Sequence, residues 1–335
     1  MTAPRIMVIG DINIDAVIAA SEYPPEGGEA VVERADFRLG GSGCNTAVTL
    51  AKLGAQTLHV GNLGMEPLGQ MAMSYIQSAG INTGLLQQKE EFQTGFFFIL
   101  ITAGGQRTMF GGRACNAFPP DYEQVALHIP SIDALHLSGY TLIQDEQFEV
   151  IREVARLARQ QDKIISLDPG VCTTKTAKAK VNALLPYVDY LLISQQELMD
   201  YSTPDTADAG IKGLLESGVK ALVMKMGAEG SQYIDRNQRL SQPAFHSEKH
   251  PIQDTTGAGD CFDAGFIYAL LKGLKLPDCL TLGNLTAYRT IVAAHGVADI
   301  CQTKNYAQGL RNLLEEFRLP ADQQKTLRDL LNACE

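Results

Sequence analysis

The chain has 335 residues, 45% hydrophobic and 20% charged, with 38 acidic side chains against 28 Lys and Arg. A formal charge of -10 argues against a polyanion such as nucleic acid as the main partner, which would need clustered Lys and Arg, but leaves room for a small phosphorylated ligand. No apolar run approaches the roughly 18 residues a membrane span needs. No signal peptide precedes the first strand-like segment, and the seven cysteines lack CxxC spacing, so a cytoplasmic protein with reduced thiols and no zinc is expected.

In chain order, RIMVIG (5–10) reads as a buried strand. Asp11, Asn13 and Asp15 then alternate with Ile12 and Ile14, so in extended geometry the three polar groups share one side. Three short polar side chains on one face suit a polyol, whose hydroxyls need several fixed partners; a solvated strand edge has the same pattern. EAVVERADFRLGG (29–41) reads as a strand. In the overlapping stretch RLGGSGCNTAVTLAKLGA (38–55), Gly40, Gly41 and Gly43 lead into a helix with Val48, Leu50, Ala51 and Leu53 on its apolar face. Asn45, in its first turn, offers both a donor and an acceptor.

TLHVG (57–61) is the next buried strand, and QTGFFFILITAGGQRTMFGGR (93–113) reads as strands joined by glycines, with no helix between. Together with 29–41 it predicts a small β-rich attachment to the main sheet. Phe96, Phe97 and Phe98 suit either a subunit interface or ordinary strand core. Arg113 could reach an acidic or polyhydroxylated substrate, whereas Arg107 reads as a solvated surface residue.

Four further buried strands follow: ALHLS (134–138), KIISLD (163–168), YLLIS (190–194) and ALVMK (221–225). Between the first two, DEQFEVIREVARLARQQ (145–161) repeats Phe148, Ile151, Val154, Ala155 and Leu157 at helical steps. This rhythm predicts the α/β class: a three-layer α/β/α sandwich around a mostly parallel sheet, with ligands beyond the carboxyl ends of its strands. The first strand runs into GDINID rather than GxGxxG, so the dinucleotide fingerprint is missing.

In QDTTGAGDCFDAGF (253–266) a helix starts near Gly259 or Asp260, with Phe262, Phe266, Ile267, Leu270, Leu271 and Leu274 on a wide apolar face. First-turn amides lack intrahelical acceptors and carry the positive end of the helix dipole, and Gly257 and Gly259 let other atoms approach them. Such a turn can cradle phosphate oxygens. Asp260 is poorly suited to binding phosphate but well placed to accept a proton from a hydroxyl attacking one. A plain helix cap explains the same residues. Asp263, one turn further on, reads as structural. From Asn305 to Glu335 the pattern is two helices broken at Pro320.

The stretches GGSGCNTAVTLAKLGAQTLHVGNLG and DTTGAGDCFDAGF, roughly 200 residues apart, resemble the paired signatures of the ribokinase-like (PfkB) family of carbohydrate kinases, and the resemblance covers roughly residues 5 to 300. It implies an ATP-dependent kinase with Mg²⁺, acting on a sugar hydroxymethyl group (ribose-, fructose- or ketodeoxygluconate-like), with Asp260 as the base and the amides of Gly257, Ala258 and Gly259 as the anion hole. Asn13, Asp15, Gly41, Asn45 and Arg113 would hold the substrate; Ser194, Lys225 and Gly227 would face the nucleotide. Glu197, in SQQE where the family has Asn-x-x-Glu, would organise Mg²⁺ through water. Asp254 resembles a ligand for a monovalent cation such as K⁺, although Ile300 stands where a side-chain oxygen often completes that site. The implied organisation is a kinase core over 1–304, a β lid from about 14–39 and 92–114, and C-terminal helices over 305–335. In the family such lids close over the sugar and often pair between subunits, so a homodimer is expected. A nucleoside kinase of the same family, and a non-catalytic sugar or nucleotide sensor, remain alternatives.

Overall fold

Side-chain alternation along the first strand sets up the layers. Ile6 and Val8 enter one apolar cluster, Met7 and Ile9 another, and all four are buried, so this strand lies mid-sheet with a packed layer on each face. The computed structural model describes residues 2–32, 35–102, 107–201 and 206–334. Among them the strands are, in chain order, β1 (Arg5–Ile9), β2 (Asn13–Ala20), β3 (Ala35–Gly40), β4 (Gln56–Gly64), β5 (Leu86–Lys89), β6 (Gly95–Thr102), β7 (Arg107–Gly112), β8 (Ala134–Ser138), β9 (Ile164–Asp168), β10 (Tyr190–Ser194), β11 (Ala221–Lys225), β12 (Ser231–Ile234) and β13 (Arg239–Gln242).

Nine of these form the large sheet in the order β13-β12-β11-β10-β9-β8-β1-β4-β5, parallel from β5 to β11. β12 and β13 add antiparallel at one edge, because the connections after β11 are too short for a parallel crossover, which needs about a dozen residues. Those two edge strands and β5 lie beyond the strands expected from sequence. The helix Asp145–Gln160 packs Phe148, Ile151, Val154 and Ala155 onto one face, and the helices Ser42–Lys52 and Ala258–Leu271 pack onto the other.

The four-stranded sheet β3-β2-β6-β7 stands apart from the large one. β2 pairs antiparallel with β3 and parallel with β6, and β6 pairs antiparallel with β7. The polar alternation at Asp11, Asn13 and Asp15 therefore straddles the exit from β1 and the start of β2, not one strand. Only 35–40 of the expected 29–41 strand is extended in a sheet among the described residues. At the end of the chain the helices Tyr306–Glu315 and Ala321–Asn332 meet at Pro320.

The sequence order of the strands reverses between β1 and β8: from β1 the chain adds β4 on one side, and from β8 it adds β9, β10 and β11 on the other. A crevice opens outside the carboxyl ends at such a switch point. Asp11, Tyr140, Asp168, Ser194 and Lys225 follow or end β1, β8, β9, β10 and β11, and all five line one cleft.

Candidate active site

The cleft encloses about 430 Å³, within the range of small-molecule sites. Asp11, Asn13, Asp15, Gly41, Ser42 and Asn45, beside β1, form one end; Ser194, Glu197, Lys225 and Gly227, beside β10 and β11, form the other; Gly257, Gly259 and Asp260 line the cleft as well. The structure thus brings together most of the residues singled out in sequence. It adds Tyr140, Asp168 and Met109, and brings Phe97 and Ser42 to the same cleft.

Asp260 stands in the first turn of the helix Ala258–Leu271, whose N-cap, Gly257, has the left-handed φ of +75°. A Cβ on Gly257 would come within 2.7 Å of Val297 Cγ2, so both conformation and space call for glycine. The Ala258 amide donates to the Thr255 carbonyl at 3.3 Å, closing the turn ahead of the helix. Ser42 Oγ donates to Asp260 Oδ1 at 2.7 Å and Asn45 Nδ2 to Oδ2 at 2.8 Å. Burial pushes the Asp260 carboxyl up to about 6 and the Asp168 charge adds to this, against the two hydrogen bonds. A carboxyl poised just below neutrality suits a general base. Asn45 keeps its Oδ1 buried without a hydrogen-bond partner.

Gly41, at φ +96°, turns the chain from β3 into the helix Ser42–Lys52, and a Cβ there would run into the Asp11 carbonyl oxygen. That close approach sets Ser42 and Asn45 beside the exit of β1. Asp15 lies at the same end, its carboxyl pushed up to about 7 chiefly by burial, with Arg38 pulling down and Asp254 and Asp260 pushing up.

Arg113 differs from the sequence expectation of a side chain reaching for substrate. Its Nε and Nη2 donate to Asp11 Oδ2 and Oδ1, both at 2.9 Å, and Nη2 also donates to the Asn116 carbonyl and Gln147 Oε1. Asn116 donates to the Ile12 carbonyl at 2.8 Å and to Asn13 Oδ1 at 2.9 Å, and accepts from the Ile12 amide at 3.0 Å. Arg113 and Asn116 therefore brace the chain between β1 and β2, and Asp11 and Asn13 face the cleft. No periodic signal in the sequence marks Asn116 or Gln147 for this.

At the other end Lys225 Nζ lies 2.9 Å from Asp168 Oδ2 and 3.1 Å from Asp263 Oδ1. Burial works to discharge the lysine, but these carboxylates outweigh it and hold the ammonium charged. Burial pushes Asp263, which is wholly buried, far above the usual carboxyl range; burial pushes Asp168 up as well, but Lys225 and a hydrogen bond from Asp263 outweigh it and bring Asp168 below that range. Asp263 lies buried against Lys225 and Asp168; Lys225 faces the cleft with its charge balanced by Asp168. Ser194 and Glu197 form a reciprocal cap on the helix Gln195–Tyr201: the Ser194 amide donates to Glu197 Oε2 at 2.7 Å and the Glu197 amide to Ser194 Oγ at 3.1 Å. Serine thus takes over the capping half of the Asn-x-x-Glu pattern.

Among the described residues no group of three or more His, Cys, Asp or Glu could hold a metal unaided. Glu197 nonetheless fits Mg²⁺, which usually keeps several waters and binds through one or two carboxylates plus substrate phosphates, whereas Asp168 is already held by the Gly170 amide on Oδ1 and by Lys225 on Oδ2. Asp254 does not fit a monovalent cation. Its Oδ1 accepts from the Thr256 amide at 2.8 Å, its Oδ2 accepts from Arg38 Nη1 at 3.3 Å, and Ile300 is buried apolar core.

Pleat alternation splits the three phenylalanines of β6. Phe97 faces the cleft, while Phe96 and Phe98 lie on the other side of the small sheet. Among the described residues no helix is long and apolar enough to cross a membrane.

The sequence model of the pfkB family of carbohydrate kinases matches residues 3–304. A ribokinase of Arabidopsis thaliana is 27% identical over 298 residues, covering 85% of this chain and 75% of its own. A nucleoside kinase of Methanocaldococcus jannaschii is 25% identical over 304 residues, covering 89% of this chain and 92% of its own. The solved structure of Arabidopsis thaliana ribokinase complexed with ribose and ATP superposes with a TM-score of 0.76 at 22% identity, covering 90% of this chain and all of that one. At that identity the superposition speaks for the fold.

Proposed function

The chain belongs to the pfkB family of carbohydrate kinases, and from that premise we propose that it transfers the γ-phosphoryl group of ATP to a hydroxymethyl group of an uncharged sugar, with Asp260 as general base. The observation that carries this reading is Asp260 itself: a carboxyl raised to about 6, in the first turn of a glycine-capped helix, between the polyol-binding and phosphate-facing ends of one cleft. The sugar hydroxyl gives its proton to Asp260 as its oxygen attacks phosphorus; the β–γ bond breaks and ADP leaves. Amides of Gly257 and Gly259 receive the charge developing on the transferred group; the Ala258 amide, also expected in this role from sequence, turns instead to the Thr255 carbonyl. Mg²⁺, when bound, neutralises charge on the β- and γ-phosphates, and Glu197 is the residue to hold its waters. Lys225, Ser194 and Gly227 border the nucleotide.

An uncharged acceptor is favoured because the cations nearest the sugar end, Arg113 and Arg38, are committed to Asp11 and Asp254. Asp11, Asn13, Asp15 and Asn45 then supply the acceptors and donors a polyol requires. The small sheet acts as the lid that keeps water from the phosphoryl group, with Phe97 and Met109 over the acceptor. Exposed Phe37 and Phe110 on that sheet support a homodimer formed through it. A nucleoside acceptor is the second reading, favoured by the apolar Phe97 and Met109 beside the sugar end and by the nucleoside kinase relative.

Asp260→Asn tests the reading. ATP and sugar binding should persist while kcat falls by about 10²- to 10⁴-fold; near-normal turnover would remove Asp260 from the mechanism. Parallel ADP-release assays with ribose, fructose, 2-keto-3-deoxygluconate, adenosine and inosine separate the acceptors, and no ADP release with any acceptor in a broad sugar and nucleoside panel would favour a non-catalytic sensor.

A further inference from the structure

Arg38, on β3 of the small sheet, reaches the loop that leads into the Gly257 turn. Its Nη1 donates to Asp254 Oδ2 and its Nη2 to Asp36 Oδ2, both at 3.3 Å, and Asp15 feels its charge. Arg38 and Asp254 are only 15% and 12% exposed, so this ion pair is shielded from solvent. Asp254 in turn holds the Thr256 amide, and the amides of Gln253 and Asp254 donate to the Ile291 carbonyl. One guanidinium thus joins the small sheet to a loop that ends three residues later in the phosphate-facing turn.

Beside it lies a cavity of about 30 Å³, lined by Asp15, Arg38, Asp254, His295 and Val297 among others, with room for about one water. A metal cation there would sit against a like charge. Arg38 Nε, buried and without a hydrogen-bond partner, offers a donor where a cation needs an oxygen.

We propose that Arg38 is a resident cation: a positioning residue that supplies, from the small sheet, the charge and geometry a bound monovalent ion would otherwise give the Asp254–Gly257 loop, so that turnover is indifferent to K⁺. The indifference of turnover rests on the kinase reading; the placement of the loop does not.

The test compares the wild type and Arg38→Ala in KCl and in choline chloride at equal ionic strength. Wild-type melting midpoints should agree within about 1 °C, because an ion that binds the native state would raise the midpoint. Sugar-dependent ADP release should agree within about twofold between the two salts. In Arg38→Ala, amide hydrogen exchange at Thr255 to Gly257 should quicken by about tenfold or more, with Arg38→Lys between that variant and wild type. A wild-type midpoint raised by K⁺ beyond that margin, K⁺ activation beyond twofold, or unchanged exchange in Arg38→Ala would each overturn the proposal. If no acceptor is phosphorylated the kinase reading fails, yet melting and exchange still decide the role of Arg38; if Arg38→Ala does not fold, the wild-type melts and Arg38→Lys decide it.

Discussion

Ser42 Oγ donates to Asp260 Oδ1 at 2.7 Å, joining the start of one helix to the start of another across 218 residues of sequence. With Asn45 on the second oxygen, the carboxylate meets a substrate hydroxyl already hydrogen-bonded on both sides. Both donors favour its charged form and offset part of the burial that raises it. The base works only when deprotonated, so kcat/KM should fall as pH drops through about 6. Ser42→Ala removes one donor, so the acid limb should move to higher pH; Ser42→Thr should leave it in place. Profiles from about pH 5 to 8 check this, and an unmoved limb in Ser42→Ala would discard the role of Ser42.

Asp15 yields a prediction in which stability and binding part company. Its carboxyl, raised to about 7, binds a proton more tightly in the folded chain than in the unfolded one. The stability it lends is full below the ordinary aspartate range and is lost as pH rises to about 7. Asp15→Asn should therefore stabilise the fold at pH 8 by about 1–3 kcal/mol, and by less at pH 5. The KM for the acceptor should rise by about tenfold or more, since a polyol loses an ionised partner. Thermal melts at the two pH values measure the first effect; equal gains at both would show that ionisation is not its source.

Arg113 is a brace for Asp11 rather than a free substrate ligand, and the two roles differ in what they cost. Arg113→Ala leaves a buried carboxylate without its bidentate partner and should destabilise by about 3–5 kcal/mol. Arg113→Ala combined with Asp11→Asn should lose less than the two single losses added together. Urea denaturation of the four proteins closes the cycle, and additive losses would refute the brace.

Gly257→Ala probes the turn itself. Left-handed backbone at φ +75° costs a residue with a side chain about 1–2 kcal/mol, and the new methyl would meet Val297. The expected result is a raised KM for ATP with the fold kept. Adding Val297→Ala should recover the steric part and leave the conformational part. Full recovery would mean that space alone required glycine.

Chelation of Mg²⁺ should abolish turnover reversibly, and Glu197→Gln should raise the Mg²⁺ needed for half-maximal rate by about tenfold or more. Because Glu197 Oε2 also accepts from the Ser194 amide, the variant's melting midpoint should fall slightly. A titration of rate against Mg²⁺ that overlays the wild type would leave Glu197 with capping alone.

What could be read without coordinates was whatever repeats or condenses locally. The runs at 134–138, 190–194 and 221–225 match their strands end to end because each is a short, mostly apolar stretch buried on both faces. The two glycine-rich turns were legible for a similar reason: their oddity is confined to a few consecutive residues. Arg113 with Asp11, Arg38 with Asp254 and Lys225 with Asp168 were not, because an ion pair between distant segments leaves no periodic trace. Tyr140 was equally hidden, since a tyrosine after a strand looks the same whether it faces solvent or a cleft. Phe96 to Phe98 are three like residues in a row, and only the pleat separates the middle one from its neighbours.

The register of the small sheet carries a mechanical consequence. Asn13 stands opposite Gly40 on β3 and Gly95 on β6, and the next residue, Phe96, stands opposite Gly112 on β7, so every strand meets the body of the protein along one transverse row. Arg113 and Asn116 stitch that row down, and Arg38 on β3 ties the sheet to Asp254 on the body as a second fastening. Any swing of the sheet about that row, like a door on its jamb, must first strain or release the Arg38–Asp254 pair, its latch. Residues near that row, Asn13 and Asp11, would keep their spacing from Asp260, while Met109, further along β7 from Gly112, would move more. Tolerance for different acceptors could then drift at the swinging edge without disturbing the proton-transfer geometry beside the jamb.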